Sequence, residues 1–385
     1  MIDEVRLLNN LKDFSFPRLS GTDFEKKSFN IAKKKIEELN LSPMHQDFSF
    51  SIFYSRIYPK VALTLLSWLL LVVFLNLKLI FNIVNLSIIF ILILILMLYT
   101  RNPEKIKVGR EYHSQNLFLK LASQTENESS DYNIFLLSHL DSKGQAFSIK
   151  IRIQLYYVWI ITFPLGLLFS ILNSFFLIED YLLLKIITIL SLCFNLTAII
   201  ILWMNKTNNI SKGAIDNASG ISCVLELLYY YSNVKERQKN CNLWFVFTGA
   251  EESGTMGIRN FYRNIKNFDR DKTFIINFDS IAKKVNLWDH GLLNNKYFKS
   301  INYILENEEI MSLEKKTYRF YIGTYSDGLF LLNKKFKGIG NGDRSTYNYV
   351  HSKNDDLDKI DVIVLKKLCQ FYTILLNEVD MNLKN

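Results

Sequence analysis

Two long stretches of the chain are almost wholly apolar. From Val61 to Tyr99 the run is broken mildly by Asn76, Lys78, Asn82 and Asn85. A bilayer crossing takes about 20 helical residues at a rise of about 1.5 Å each, so this length predicts two helices in a tight hairpin. A second apolar run extends from Ile153 to Met204 and is divided by Glu179 and Asp180, which predicts a second pair. Between Leu86 and Leu98 no polar face is left to turn toward water, so lipid is the expected surroundings. An even number of spans places the N-terminus, the segment between the hairpins and the C-terminal half on one side. Arg56, Lys60, Arg101, Lys143, Lys150 and Lys206 are among the cations flanking the spans there, whereas the opposite turns offer Lys78 and Lys185 against Glu179 and Asp180. That bias predicts a multi-pass protein whose bulk faces the cytoplasm.

Outside these runs the periodicity alternates. Phe29, Ala32, Ile36 and Leu39 recur at helical spacing; Asn133–Ser138, Leu243–Phe247 and Thr273–Phe278 are short apolar strands; Ile221–Tyr231 and Asp361–Val379 are helix candidates. Strands alternating with helices predict an α/β fold with a mostly parallel central sheet covered by helices on both faces. The expected organisation is one catalytic domain assembled from residues 1–58, 101–150 and 207–385, with transmembrane hairpins at 59–100 and 151–206.

Composition changes this picture little. The 385 residues include 46 Lys+Arg against 37 Asp+Glu, a net charge of +9. No long basic run accompanies that excess, so membrane flanks account for it better than nucleic acid does. Cys193, Cys223, Cys241 and Cys369 have neither paired spacing nor a C-x-x-C, which excludes a disulfide framework and a cysteine metal site. The opening Met-Ile-Asp-Glu-Val-Arg lacks the basic and apolar regions of a secretory signal, so export of the first segment is not expected.

Five islands place polar residues where strands end, the edge at which open α/β sheets hold ligands. In Leu137-Ser-His139-Leu-Asp141 the imidazole is a candidate metal ligand and Asp141 its orienting partner. Gly213-Ala-Ile-Asp216-Asn-Ala-Ser-Gly220 leads into a helix; Asp216 reads as an N-cap or as a carboxylate bridging two cations. Trp244–Phe247 runs on to Glu251 and Glu252, two adjacent carboxylates that can divide the roles of base and ligand. Phe274–Phe278 closes on Asp279, and Tyr349-Val-His351-Ser-Lys-Asn-Asp355 supplies a second histidine with an acid four residues on. Two histidines, three carboxylates and a spare glutamate form the inventory of a two-metal hydrolytic site.

These islands resemble the motifs of the M28 family of co-catalytic zinc aminopeptidases: His-x-Asp, Gly-x-x-Asp-Asn-x-Ser-Gly, Gly-x-Glu-Glu-x-Gly, Asn-x-Asp and His-Thr-x-x-Asp, the last with Ser352 for Thr. Phe16-Pro-Arg-Leu-Ser-Gly-Thr22 followed by a helix resembles the family's opening, and Ser114-Gln-Asn-Leu resembles the strand before its first ligand. The resemblance implies two Zn2+ per chain: His139 and Asp279 on one, Glu252 and His351 on the other, Asp216 between them. It implies Glu251 as general base, Asp141 orienting His139, Asp355 supporting His351, and an oxyanion tyrosine among Tyr325, Tyr347 and Tyr349. Two departures concern the substrate pocket: Tyr325-Ser-Asp327-Gly328 stands for Ser-Asp-His, and Ala282 for a glycine. The hairpin between His139 and Asp216 has no counterpart in soluble relatives and suggests a substrate met at the membrane surface.

The expected function is a membrane-embedded zinc peptidase, an aminopeptidase acting on a peptide or protein N-terminus, with the bilayer as its other partner and no nucleic acid. The alternatives are a carboxypeptidase or glutaminyl-cyclase-like acyltransferase on the same scaffold, or a non-catalytic membrane receptor or scaffold. A transporter lacks support, since the spans hold no buried acid of the kind a midplane site needs.

Overall fold

The computed structural model describes residues 1–125, 131–175, 182–292, 295–298, 311–314 and 325–383. Two compact units are present: Met1–Phe50, Tyr112–Gln145 and Asn208–Asn385 make one, Ser51–Glu111 and Ala146–Thr207 the other.

The first unit is built on a sheet. The strands are β1 (Met44–Ser51), β2 (Glu111–Leu121), β3 (Tyr132–His139), β4 (Gly144–Gln145), β5 (Thr207–Asn208), β6 (Cys241–Thr248), β7 (Thr273–Phe278), β8 (Val285–His290), β9 (Met311–Glu314) and β10 (Lys337–Gly342). Eight of them form one sheet in the order β1-β2-β6-β3-β7-β10-β8-β9. Its centre, β6-β3-β7-β10, is parallel, as the apolar runs predict. The flanks reverse: β2 runs antiparallel to β6 and β8 antiparallel to β10.

Both faces of the centre are covered because successive side chains alternate between them. Ile134, Leu136, Phe245, Phe247, Phe274 and Ile276 pack on one side with apolar residues of the helices Glu4–Phe14, Asp23–Glu37, Ser219–Ser232 and Val362–Asn382. Phe135, Leu137, Val246 and Ile275 pack on the other with Ile258, Phe261 and Ile265 of the helix Met256–Ile265. Burying a side chain of this size contributes about 1.5–3 kcal/mol, and the two faces together make the strands' continuous apolar runs favourable.

The register then decides where the chemistry sits. His139 pairs with Thr248 across β3 and β6, Leu137 with Asn277 across β3 and β7, and Asn341 with Phe278 across β10 and β7. The parallel strands therefore end together, and the residues that follow them emerge along one edge of the sheet.

The second unit holds the four apolar helices. Phe53–Leu75, Leu79–Tyr99, Ile149–Asn173 and Leu182–Met204, of 23, 21, 25 and 23 residues, are long and apolar enough to cross a bilayer. Glu179 and Asp180, the expected divider of the second pair, lie outside the described residues. Polarity in this unit is turned inward: Ser67 Oγ meets Asn195 Oδ1 at 2.5 Å and accepts from Trp159 Nε1 at 2.9 Å, with Asn195 fully buried. Phe81, Phe90, Ile95, Leu168 and Leu183 point outward. Inter-helix hydrogen bonds inside and apolar groups outside suit lipid, and they stand beside a small buried cluster of Trp159, Ala198 and Ile199.

Candidate metal centre

Each sequence-predicted ligand is delivered by a strand end or by a loop stitched to one. His139 is the last residue of β3, and Asp279 follows β7 directly. Asp216 lies in the turn Ala214–Ala218, which Asn217 ties across the sheet by donating from Nδ2 to the Phe278 carbonyl at 2.8 Å and to Ser138 Oγ at 3.2 Å. The Asp216–Asn217 peptide is cis. Asp216 is not an N-cap: the following helix starts beyond Ala218 without a side-chain cap, and the carboxylate faces the histidines instead. His351 follows the turn Arg344–Asn348 in left-handed backbone, at φ 61°.

The five side chains converge in two trios that share Asp216. His139 Nε2 lies 3.0 Å from Asp216 Oδ1 and 3.7 Å from Asp279 Oδ1. His351 Nε2 lies 3.1 Å from Asp216 Oδ2 and 2.9 Å from Glu252 Oε1. The two oxygens of Asp216 thus face two different imidazoles, as a bridging carboxylate requires. Within each trio the candidate atoms lie within 4.8 Å of one another. Ligands about 2.0–2.1 Å from a tetrahedral zinc are separated from each other by about 3.3 Å, close to these spacings. His139 Nε2 and Glu252 Oε1 are moreover buried and make no hydrogen bond, although carboxylate or imidazole atoms lie beside them. Ligand atoms that approach without hydrogen-bonding are oriented for a shared cation, and the nitrogen and oxygen donor set suits zinc.

The electrostatics carry the same demand for positive charge. Burial disfavours the imidazolium of His139, yet contacts with Asp141, Asp216 and Asp279 hold its pKa well above the ordinary value. Burial likewise opposes ionisation of Asp216, but His139 and His351 hold it well below the usual carboxylate range. For Glu252, burial is outweighed by His351 and Lys143, and its pKa falls to about 2. A divalent cation would take the place of the protons that this cluster otherwise recruits.

Glu251 sits in the turn Glu251–Ser253 after β6, buried beside its neighbour. Burial raises its pKa well above the ordinary value; His139 opposes the rise, and Glu252, Asp327 and Asp279 add to it. Asp141 does more than orient His139. Its carboxylate lies 3.3 Å from His139 Nδ1, which also faces the Asp141 carbonyl at 3.1 Å. The same carboxylate accepts from the backbone N–H of Glu251 at 3.1 Å and of Glu252 at 3.0 Å, and from Ser20 Oγ at 2.5 Å. One buried acid thereby sets both the first imidazole and the glutamate pair.

Other residues enter in roles that the motifs did not point to. Asp355, expected to support His351, instead accepts from Ile215 N at 2.6 Å and Ser211 Oγ at 3.2 Å and so braces the Asp216 loop. Burial and then Asp216 push its pKa to about 7. Lys143, grouped by sequence with the membrane-flanking cations, turns into the site with its ammonium 2.6 Å from Glu252 Oε2. Asp327 accepts from Thr248 Oγ1 through one oxygen, and its other oxygen is buried without a partner. Glu25 accepts from Ala250 N at 2.7 Å, Ser114 Oγ at 2.8 Å and Gly21 N at 2.6 Å, holding the turn that precedes Glu251. Its signal in the sequence is Thr22-x-x-Glu25, which reads as an ordinary capping box. Arg18, fully buried, donates to the carbonyls of Leu140 at 2.9 Å and Gly213 at 3.0 Å, tying the N-terminal segment to the loops of His139 and Asp216. Of the three tyrosine candidates, Tyr325 and Tyr349 are exposed, and Arg259 donates to the Tyr325 hydroxyl at 3.4 Å.

Residues 200–372 match Peptidase family M28. No curated protein matches the chain. Among solved structures, an aminopeptidase from Aneurinibacillus sp. strain AM-1 superposes with a TM-score of 0.57 at 12% identity, covering 98% of this chain and 94% of its own. A zinc aminopeptidase from Bacillus subtilis gives 0.57 at 12%, covering 98% and 95%. A glutaminyl cyclase from Fimbriiglobus ruber gives 0.54 at 12%, again 98% and 95%. At these identities the likeness is one of fold.

Proposed function

We propose that this chain, which carries a Peptidase family M28 domain, is a membrane-anchored zinc peptidase that removes residues from free peptide N-termini. The observation that carries the reading is Asp216, whose two carboxylate oxygens face the imidazoles of His139 and His351, while Glu251 is buried and interacts electrostatically with His139 and Asp279 of one trio and Glu252 of the other. His139, Asp216 and Asp279 would hold one zinc, and Asp216, Glu252 and His351 the other. When bound, the pair of cations supplies Lewis-acid polarisation of the scissile carbonyl and acidifies the attacking water.

The protein supplies the proton traffic and the orientation. Glu251, buried next to Glu252, takes a proton from the attacking water and delivers it to the leaving amine. Asp141 keeps the Glu251 and Glu252 backbone and the His139 ring in register through this exchange. The four apolar helices support insertion as two hairpins, and the flanking cations support a cytoplasmic catalytic domain. Both hairpins are covalent insertions in this domain, the second lying between His139 and Asp216, which favours substrates met at the membrane surface.

The test is mass spectrometry of peptides with free and acetylated N-termini, incubated with zinc-loaded protein and with Glu251→Gln. Stepwise shortening of the free peptides alone is expected, with activity down by at least about 100-fold in the variant and zinc retained. Cyclisation of N-terminal glutamine without cleavage would replace the peptidase by a glutaminyl-cyclase-like activity; cleavage by the variant at the wild-type rate would remove Glu251 from the role of base.

A further inference from the structure

The two trios are alike in donors. Each has one imidazole nitrogen, one carboxylate of its own and one oxygen of Asp216, so ligand type does not rank them. Their supports differ in sign. Behind His139 stands the Asp141 carboxylate, 3.3 Å from Nδ1, which increases the ligand's donor strength. Behind Glu252 stands the Lys143 ammonium, 2.6 Å from Oε2 and 3.5 Å from the Glu252 carbonyl oxygen. The Lys143 side chain is only 14% exposed, so water and salt screen its charge weakly. Glu252 Oε2 is thus occupied, and Oε1, buried without a hydrogen bond, alone faces His351.

We propose that Lys143 is a positioning residue that limits Glu252 to one ligand oxygen and makes the Asp216–Glu252–His351 site the weaker of the two zinc sites. The inference rests on the two-zinc reading above. A fixed positive charge beside a carboxylate ligand opposes a divalent cation directly and withdraws half of the donor's capacity. The first site, backed by an anion, fills at lower zinc concentration. The second fills and empties more readily, so the protein passes between one-zinc and two-zinc forms as zinc supply changes.

The experiment is a zinc titration of the full-length protein in detergent, stripped with a chelator and titrated against a chromogenic competitor. Wild type is compared with Lys143→Met, Lys143→Gln and Lys143→Arg, and a thermal melt verifies that each variant is folded. In the two neutral variants the weaker zinc is expected to tighten by about 10-fold or more, the tighter zinc to stay unchanged, and Lys143→Arg to follow wild type. A purely structural role for Lys143 would predict the reverse, weaker binding on its removal. Equal affinities for two zinc ions in wild type and both neutral variants would overturn the inference and leave the two-zinc reading standing. One zinc in wild type and two in Lys143→Met would show that Lys143 closes the second site rather than weakening it, which would overturn both the inference and the two-zinc reading of the native enzyme. One zinc in every variant would remove both.

Discussion

Glu25 is a buried carboxylate outside the ligand set. Burial, followed by repulsion from Asp141, raises its pKa from 4.5 to about 8 even though Gly21, Ser114 and Ala250 donate to it. Between those two values the zinc-free native state keeps a proton that the unfolded chain has released. The unfolding free energy therefore falls as pH rises through this window, and the contribution is lost above about pH 8. Asp327 and Asp355, both pushed to about 7 chiefly by burial, act in the same direction. Denaturant unfolding of chelator-treated protein should show this decline, and Glu25→Gln should make it shallower. A slope identical to wild type would show that Glu25 is ionised in the native state. Zinc should flatten the profile as well, since bound cations favour the ionised carboxylates.

At the scale of elements, the decisive piece is the turn between β6 and the helix Met256–Ile265. Ala250, Gly254 and Thr255 adopt left-handed backbone at φ 49°, 101° and 57°, which folds the chain back so that Glu252 meets His351 and Glu251 lies buried within electrostatic reach of His139. Gly249 admits no side chain: a Cβ there would lie 2.2 Å from Ser114 Oγ and 2.5 Å from the Gln115 carbonyl oxygen. Gly249→Ala must push the turn off β2, and a shift of about 1 Å in catalytic groups can cost about 100-fold in rate. The expected outcome is a drop of that order in kcat/KM, with the circular dichroism spectrum and the tighter zinc retained. A variant at full activity would mean that the turn relaxes without moving Glu251.

For the whole molecule, the proposed insertion of two helix pairs imposes a simple constraint, because four crossings would return the chain to its starting side. Reporters fused to the N- and C-termini should both read cytoplasmic, and the protein should stay with the membrane after an alkaline carbonate wash. Termini on opposite sides would reduce the crossings to an odd number and would split the catalytic segments across the bilayer. Detergent rather than buffer alone should be needed for a monodisperse preparation, given the outward Phe81, Phe90, Ile95 and Leu183.

Sequence by itself determined the elements whose pattern is strong and local. The helices Asp23–Glu37, Ser219–Ser232 and Val362–Asn382 and the strands β3, β6 and β7 declare themselves because one face or both faces must be apolar. The four long helices do so because each is apolar over a length sufficient to cross a bilayer. The ligand candidates were legible because each stands where an apolar run stops. Less visible were β8, β9 and β10, which lack that continuous apolar pattern, as the glycines of Lys337–Gly342 show. Only the tertiary structure decided which polar residues meet. Parallel register aligned the ends of β3, β6, β7 and β10, brought Asp216 between two histidines 212 positions apart in the chain (351 − 139), and turned Lys143 onto Glu252. Such encounters depend on chain crossings and on the direction of individual side chains, which periodicity does not encode.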